Sequence, residues 1–178
     1  MRTIRYVLMD ETITIEEHVL HRIACIEPFD EVKAGELGGF VESTANLFGK
    51  AWIADNACAY GNSIVCDHAR VSGHAQVFGC AIVTDHAHVC NRAFVGGSAR
   101  LLGNAHLAGG ATVMDQAEIA GNACVCGEAC VREKAQVYNN ALVCDHATVR
   151  GNAIVRGDAK VCGRVEISEG NHNGSQLI

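Results

Sequence analysis

Residues 141–168, ALVCDHATVRGNAIVRGDAKVCGRVEIS, place Ala or Val at every sixth position and an aliphatic residue two places after each. The same frame divides residues 45–170 into 21 hexads without an insertion. Position one is Ala except at Ser63 and Val165, position three is Val, Ile or Leu except at Ala59, and position five is Gly, Asp or Asn except at Glu133 and Glu169. Each preference has a physical cause. Positions two to four suit a short strand, whose alternation sends the position-three side chain inward and its neighbours outward. Positions five and six suit a corner with a left-handed backbone, which favours Gly and then Asn and Asp. Ala at position one fits a corner with room for one methyl. A strand and a corner every six residues make a prism. Three hexads per turn give coils of 18 residues and seven coils over the repeat, stacked about 4.8 Å apart by parallel ladders.

Val143 to Ala147, Val149 to Ala153 and Val155 to Ala159 each set an aliphatic residue four places before a small one. In this motif the chain resembles the hexapeptide-repeat left-handed β-helix family. The resemblance implies an all-β fold: a three-sided, left-handed parallel β-helix of about seven coils, assembled as a homotrimer with parallel axes. A solenoid also needs its end strands covered. Residues 1–44 are expected to form an N-terminal β cap, because RYVLM, TITI and HVLHRIACI read as β segments between polar turns. Residues 45–170 are the helix and 171–178 a polar tail. The stretch LHRIACIEPFDEVKAGELGGFVES, residues 20–43, runs directly into the hexads and is similar to the N-terminal region of YdcK-like phage and prophage proteins.

A chain of 178 residues has room for one such architecture. Its formal charge of −6 gives no general attraction to nucleic acid or to anionic membranes. The apolar run Tyr6–Met9 is too short for a signal peptide or a membrane span, so a cytoplasmic protein is expected. The ten cysteines are then expected to be reduced thiols serving as small apolar side chains. Cys126, Cys144 and Cys162 fall on consecutive coils, and their parallel side chains are expected to make a thiol ladder rather than a disulfide.

Residues 18 apart form columns on three faces, named a, b and c after the hexads that begin at Ala45, Ala51 and Ala57. Face a shows Ile64, Ile82, Leu102 and Ile154 outward, face b the column Ala54, Ser72, Cys90, Ala108, Cys126, Cys144 and Cys162, and face c Tyr60, Phe78, Phe94 and Met114. Apolar ladders of this extent imply a partner surface, here another copy of the chain, with docking of a different protein as the alternative. His68 and His86 stack at one corner, followed by Asn104, Asn122 and Asn140, and His88 and His106 stack outward on face b. Zinc catalysis of the γ-carbonic anhydrase kind would require a third histidine from a neighbouring subunit, and no metal or other cofactor is assigned. Acyl transfer from acetyl-CoA, the other activity the family resemblance implies, would use a histidine base such as His74, His86, His88 or His106 beside a protruding loop. The hexads carry no such insertion.

Arg132, Arg150, Arg156, Lys160 and Arg164 gather in the last coils and could hold a phosphate. The sequence therefore leads to a binding protein rather than a catalyst. It is expected to sequester a small anionic, nucleotide-like ligand or a host component at inter-subunit clefts, through those five residues with His88 and His106. A CoA-dependent acyltransferase and a structural scaffold are the alternatives.

Overall fold

A computed structural model describes residues 3–174. Among them every regular element is a strand, and the coils form a parallel β-solenoid of about seven turns with three faces. Face a carries Ile64–Val65, Ile82–Val83 and their equivalents, face b begins at Trp52–Ile53, and face c continues from Cys58–Ala59. Each strand pairs in parallel with the one 18 residues on, as His88 does with His106 and Val89 with Leu107. Among the described residues no helix is long and apolar enough to cross a membrane.

The strands are mostly shorter than the hexad pattern suggests, covering positions two and three, with Ile154–Arg156 alone among the described hexads reaching position four. Position four still joins the ladder, since the Cys66 amide donates to the Val83 carbonyl at 3.0 Å. Positions one and three both point inward, and from Ala69 to Ala153 every position-one alanine is fully buried with its aliphatic partner two residues on. The interior of a coil is thus three methyls and three branched side chains, which leaves no room for an aromatic core. Each buried Val, Ile or Leu stabilises the stack by about 1.5–3 kcal/mol relative to exposure.

The corners explain position five. From Gly49 to Gly163 every position-five residue has a positive φ, between 57° and 81°. Asp and Glu do more than tolerate it. The Asp55, Asp85, Asp115 and Asp145 carboxylates each accept the backbone N–H of the position-five residue one coil on, at 2.8–3.0 Å. Glu133, an exception in the sequence pattern, accepts from Gly151 N–H in the same way at 2.9 Å. The second exception, Glu169, marks a change of register. Ile154 pairs with Asn171, 17 residues on, and the positive φ moves to Gly170. The corner after Ile167 is one residue short, so Asn171–Asn173 forms a last strand on face a. Residues 175–178 of the expected tail lie outside the described residues.

At the other end β1 (Tyr6–Ile15) and β2 (His18–Cys25) form an antiparallel hairpin, and β3 (Leu37–Val41) joins it to face c. RYVLM and TITI are therefore one strand, interrupted by a bulge between Leu8 and Thr12. β3 already follows the register of the coils, with Phe40 opposite Cys58 and Val41 opposite Ala59. Gly39 takes the position-one place because a methyl there would lie 2.3 Å from the Ala57 carbonyl oxygen.

Candidate functional site

The bulge bends the hairpin, so its two halves do different work. The proximal half plugs the end of the solenoid with Tyr6, Ile23 and Cys25, and the Tyr6 hydroxyl donates to the Leu47 carbonyl at 3.0 Å. The distal half folds over the outside of face c, where Ile13, Ile15 and Leu20 pack on Phe40, Cys58, Tyr60 and Phe78. Beyond its tip lies a groove of about 460 Å³ with Ile15, Glu16 and His18 on one wall and Tyr60, Phe78 and Phe94 on the floor. The Tyr60 and Phe78 rings stack at 5.6 Å and 11°, and the Tyr60 hydroxyl donates to Gln76 Oε1 at 3.1 Å. Phe94, 36% exposed, offers its ring to solvent. Gly96 continues the column of Tyr60 and Phe78; a methyl there would lie 2.5 Å from the Phe78 ring and 2.8 Å from Met114 Sδ.

His18 fixes the tip. Its Nδ1 lies 3.0 Å from Glu42 Oε1, and Glu42 Oε2 accepts Gly61 N–H at 2.6 Å. The hydrogen bond to Glu42 holds the His18 imidazole above its ordinary pKa, and the same bond holds the Glu42 carboxyl below its own.

Within one chain the five basic residues expected at the ligand site fall on more than one face. Arg132 and Arg150 stand one coil apart in the outward column of face c that begins with Tyr60 and Phe78. Arg150 Nε pairs with Glu166, whereas no carboxylate among the described residues pairs with Arg132. Arg156 ends a strand of face a, Lys160 begins one of face b, and Arg164 occupies the following corner. Six residues of a solenoid advance the chain by a third of a turn, so neighbours in sequence point to different faces.

Face b gathers histidine and cysteine. The His88 and His106 rings lie 5.2 Å apart at 32°. Cys90 Sγ is 3.7 Å from His106 Nε2, and Cys124 Sγ is 3.9 Å from His106 Nδ1. One ligand atom each from His88, Cys90 and His106 lies within 4.8 Å of the others. Burial, with His106 and Arg70 beside it, holds the His88 imidazole below its ordinary pKa. Burial, with Cys126 beside it, pushes the Cys124 thiol up to about 11. Cys124 continues the position-two column of His88 and His106, a partner the sequence reading did not single out.

Further along face b the thiol ladder gives way to a bond. Cys144 and Cys162 form a disulfide with Cα atoms 4.7 Å apart, a correction to the expectation of free thiols. Adjacent rungs hold equivalent Cα atoms at the ladder spacing, which falls inside the range a disulfide spans. The corner column behaves as expected of stacked polar residues. His68 and His86 stack at 4.9 Å and 6°, and Asn104, Asn122 and Asn140 pass amide hydrogen bonds along to Asp158 at 3.0–3.1 Å. His74, at the b–c corner, lines a second groove with Arg22 and Phe40.

The aliphatic ladder of face a is less open than its sequence implies. Ile64, Ile82, Leu102 and Ile154 are half-buried by their column neighbours, and Arg100 and Glu118 interrupt the row with an ion pair at 3.3 Å. The most exposed apolar side chains belong to the cap, with Val19 at 49%, Leu37 at 58% and Ile26 at 60%. No family model matches the chain, and no curated protein is significantly similar to it.

Proposed function

We propose that the chain is a non-catalytic, self-associating β-helix that binds a small planar anion of the nucleotide kind along face c. One observation carries this reading: the aromatic floor formed by Tyr60, Phe78 and Phe94 shares its face with Arg132 and Arg150. Aromatic rings stack a nucleobase with about 1–3 kcal/mol per base. Guanidinium groups hold phosphate through paired charge-assisted hydrogen bonds. Phe94 and Arg132 stand two rungs apart, a rise of about 10 Å, which suits a ligand with its ring at one end and its phosphates at the other. Further support comes from the resemblance to the hexapeptide-repeat family, which implies left-handed coils and a homotrimer whose clefts would close over the open groove. The likeness of residues 20–43 to YdcK-like phage proteins adds a role in capturing a host molecule within the cytoplasm.

Native mass spectrometry of the freshly purified chain tests this directly, followed by denaturation and identification of what is released. A trimer that returns an intact nucleotide-like anion is expected. Phe94→Ala and Arg132→Ala should each weaken nucleotide binding by roughly tenfold, the equivalent of about 1.4 kcal/mol. Consumption of acetyl-CoA would replace this reading with acyl transfer. An assembled protein that neither carries nor binds a nucleotide would leave a scaffold.

A further inference from the structure

We infer that His88, Cys90 and His106 form a binding site for a borderline-soft divalent cation, Zn²⁺, with one coordination position left open. The site lies on face b and is independent of the groove on face c.

Two consecutive rungs present four outward positions here: His88 and Cys90 on one, His106 and Ala108 on the next. Three of the four carry the donors that Zn²⁺ prefers, two imidazoles and a thiolate. The spacing matches the ion. Zn–S of about 2.3 Å and Zn–N of about 2.0–2.1 Å in tetrahedral geometry set nitrogen and sulfur about 3.6 Å apart. Cys90 Sγ and His106 Nε2 stand at 3.7 Å, and the whole trio falls within 4.8 Å. Small side-chain rotations close the remaining distance, since all three side chains are only half-buried.

A second contact selects the correct nitrogen. Cys124 Sγ lies 3.9 Å from His106 Nδ1, on the opposite edge of the ring from Cys90. Sulfur there accepts a hydrogen bond from Nδ1–H in the tautomer that leaves the Nε2 lone pair toward the metal, the support that ligating histidines characteristically receive. Cys124 is thus a positioning residue rather than a ligand. Ala108 fills the fourth corner with a methyl alone, so the fourth coordination position faces solvent and takes water or an incoming anion. Binding displaces the Cys90 thiol proton to solvent, and the imidazoles enter neutral; no oxidation is involved.

The test dialyses the reduced full-length chain against Zn²⁺ and measures bound metal, with Co²⁺ as a spectroscopic probe of thiolate coordination. One Zn²⁺ per chain and a thiolate-to-Co²⁺ charge-transfer band are expected. Cys90→Ser should abolish the band, and His106→Gln should weaken binding by at least 100-fold. Cys124→Ala should weaken it by about 10–100-fold while keeping the band. Ala108→His supplies a fourth ligand and should tighten it. Less than one equivalent of metal in the folded protein, or binding undiminished in Cys90→Ser, would overturn the assignment. The Cys144→Ser/Cys162→Ser double variant must retain the band; its loss would move the metal to the other thiols and equally defeat the proposal.

Discussion

Gly97 turns a corner at φ 64°, and a methyl added to it would lie 2.7 Å from the backbone nitrogen of Asp115 on the next coil. Gly163 turns a corner at φ 81° with nothing within 4 Å of the same methyl. Both substitutions to Ala incur the left-handed penalty of about 1–2 kcal/mol, but only the first also forces two coils apart. Gly97→Ala is therefore expected to lower the unfolding free energy by more than Gly163→Ala, and denaturant titration of the two variants decides it. Equal losses would mean that conformation alone, and not coil spacing, selects glycine. At this scale the sequence was informative about conformation and silent about partners. The preference for Gly, Asp and Asn predicted the left-handed corner, yet Glu133 read as an anomaly. Its carboxylate reaches the Gly151 amide, 18 residues away, and that role appears only when the coils are stacked.

The hairpin illustrates a different limit. Its strands were legible from alternation, but the groove at its tip was not, because the bulge between Leu8 and Thr12 sets an angle that composition does not encode. Nearness in sequence is likewise no guide to nearness on a face for the basic residues. The sequence places Arg156, Lys160 and Arg164 near Arg150, whereas a solenoid distributes them over separate faces. The His18–Glu42 pair that fixes the tip has a definite pH window. His18 has a raised pKa in the fold, so its contribution is complete below the ordinary imidazole value of about 6.5 and disappears as pH rises through the raised value. Glu42 has a lowered one, so its contribution is complete above about 4.3 and disappears as pH falls through the lowered value. The tip is held most firmly between those limits. Glu42→Gln should shift the His18 titration midpoint, followed by NMR, back toward the ordinary value; an unmoved midpoint would show that the pair does not form in solution.

Across the whole molecule each coil touches only its neighbours, so stability is a sum of local terms and the ends fray first. The Cys144–Cys162 bond ties together two of the last coils. Closing a loop of this size restricts the unfolded chain by about 3 kcal/mol. Reduction, or the Cys144→Ser/Cys162→Ser variant, is expected to speed hydrogen exchange at Lys160–Val161 and Glu166–Ile167 by up to roughly 100-fold, a factor corresponding to about 2.7 kcal/mol. Exchange at Arg70–Val71 and His88–Val89 should stay unchanged, and a uniform increase along the chain would contradict the one-dimensional picture. The overall architecture was nearly complete in the sequence because one short rule, repeated, is over-determined. The short corner after Ile167 breaks that rule, and its effect is to count. A prism of identical coils has no inherent length and would accept another molecule end to end, as a crystal accepts another layer. Losing one residue brings His172, where the rule would have put Val, Ile or Leu, opposite Val155. The layer of Asn171–Asn173 is thereby unlike those beneath it, and it does not offer the inward aliphatic side chain that an identical coil stacked upon it would meet.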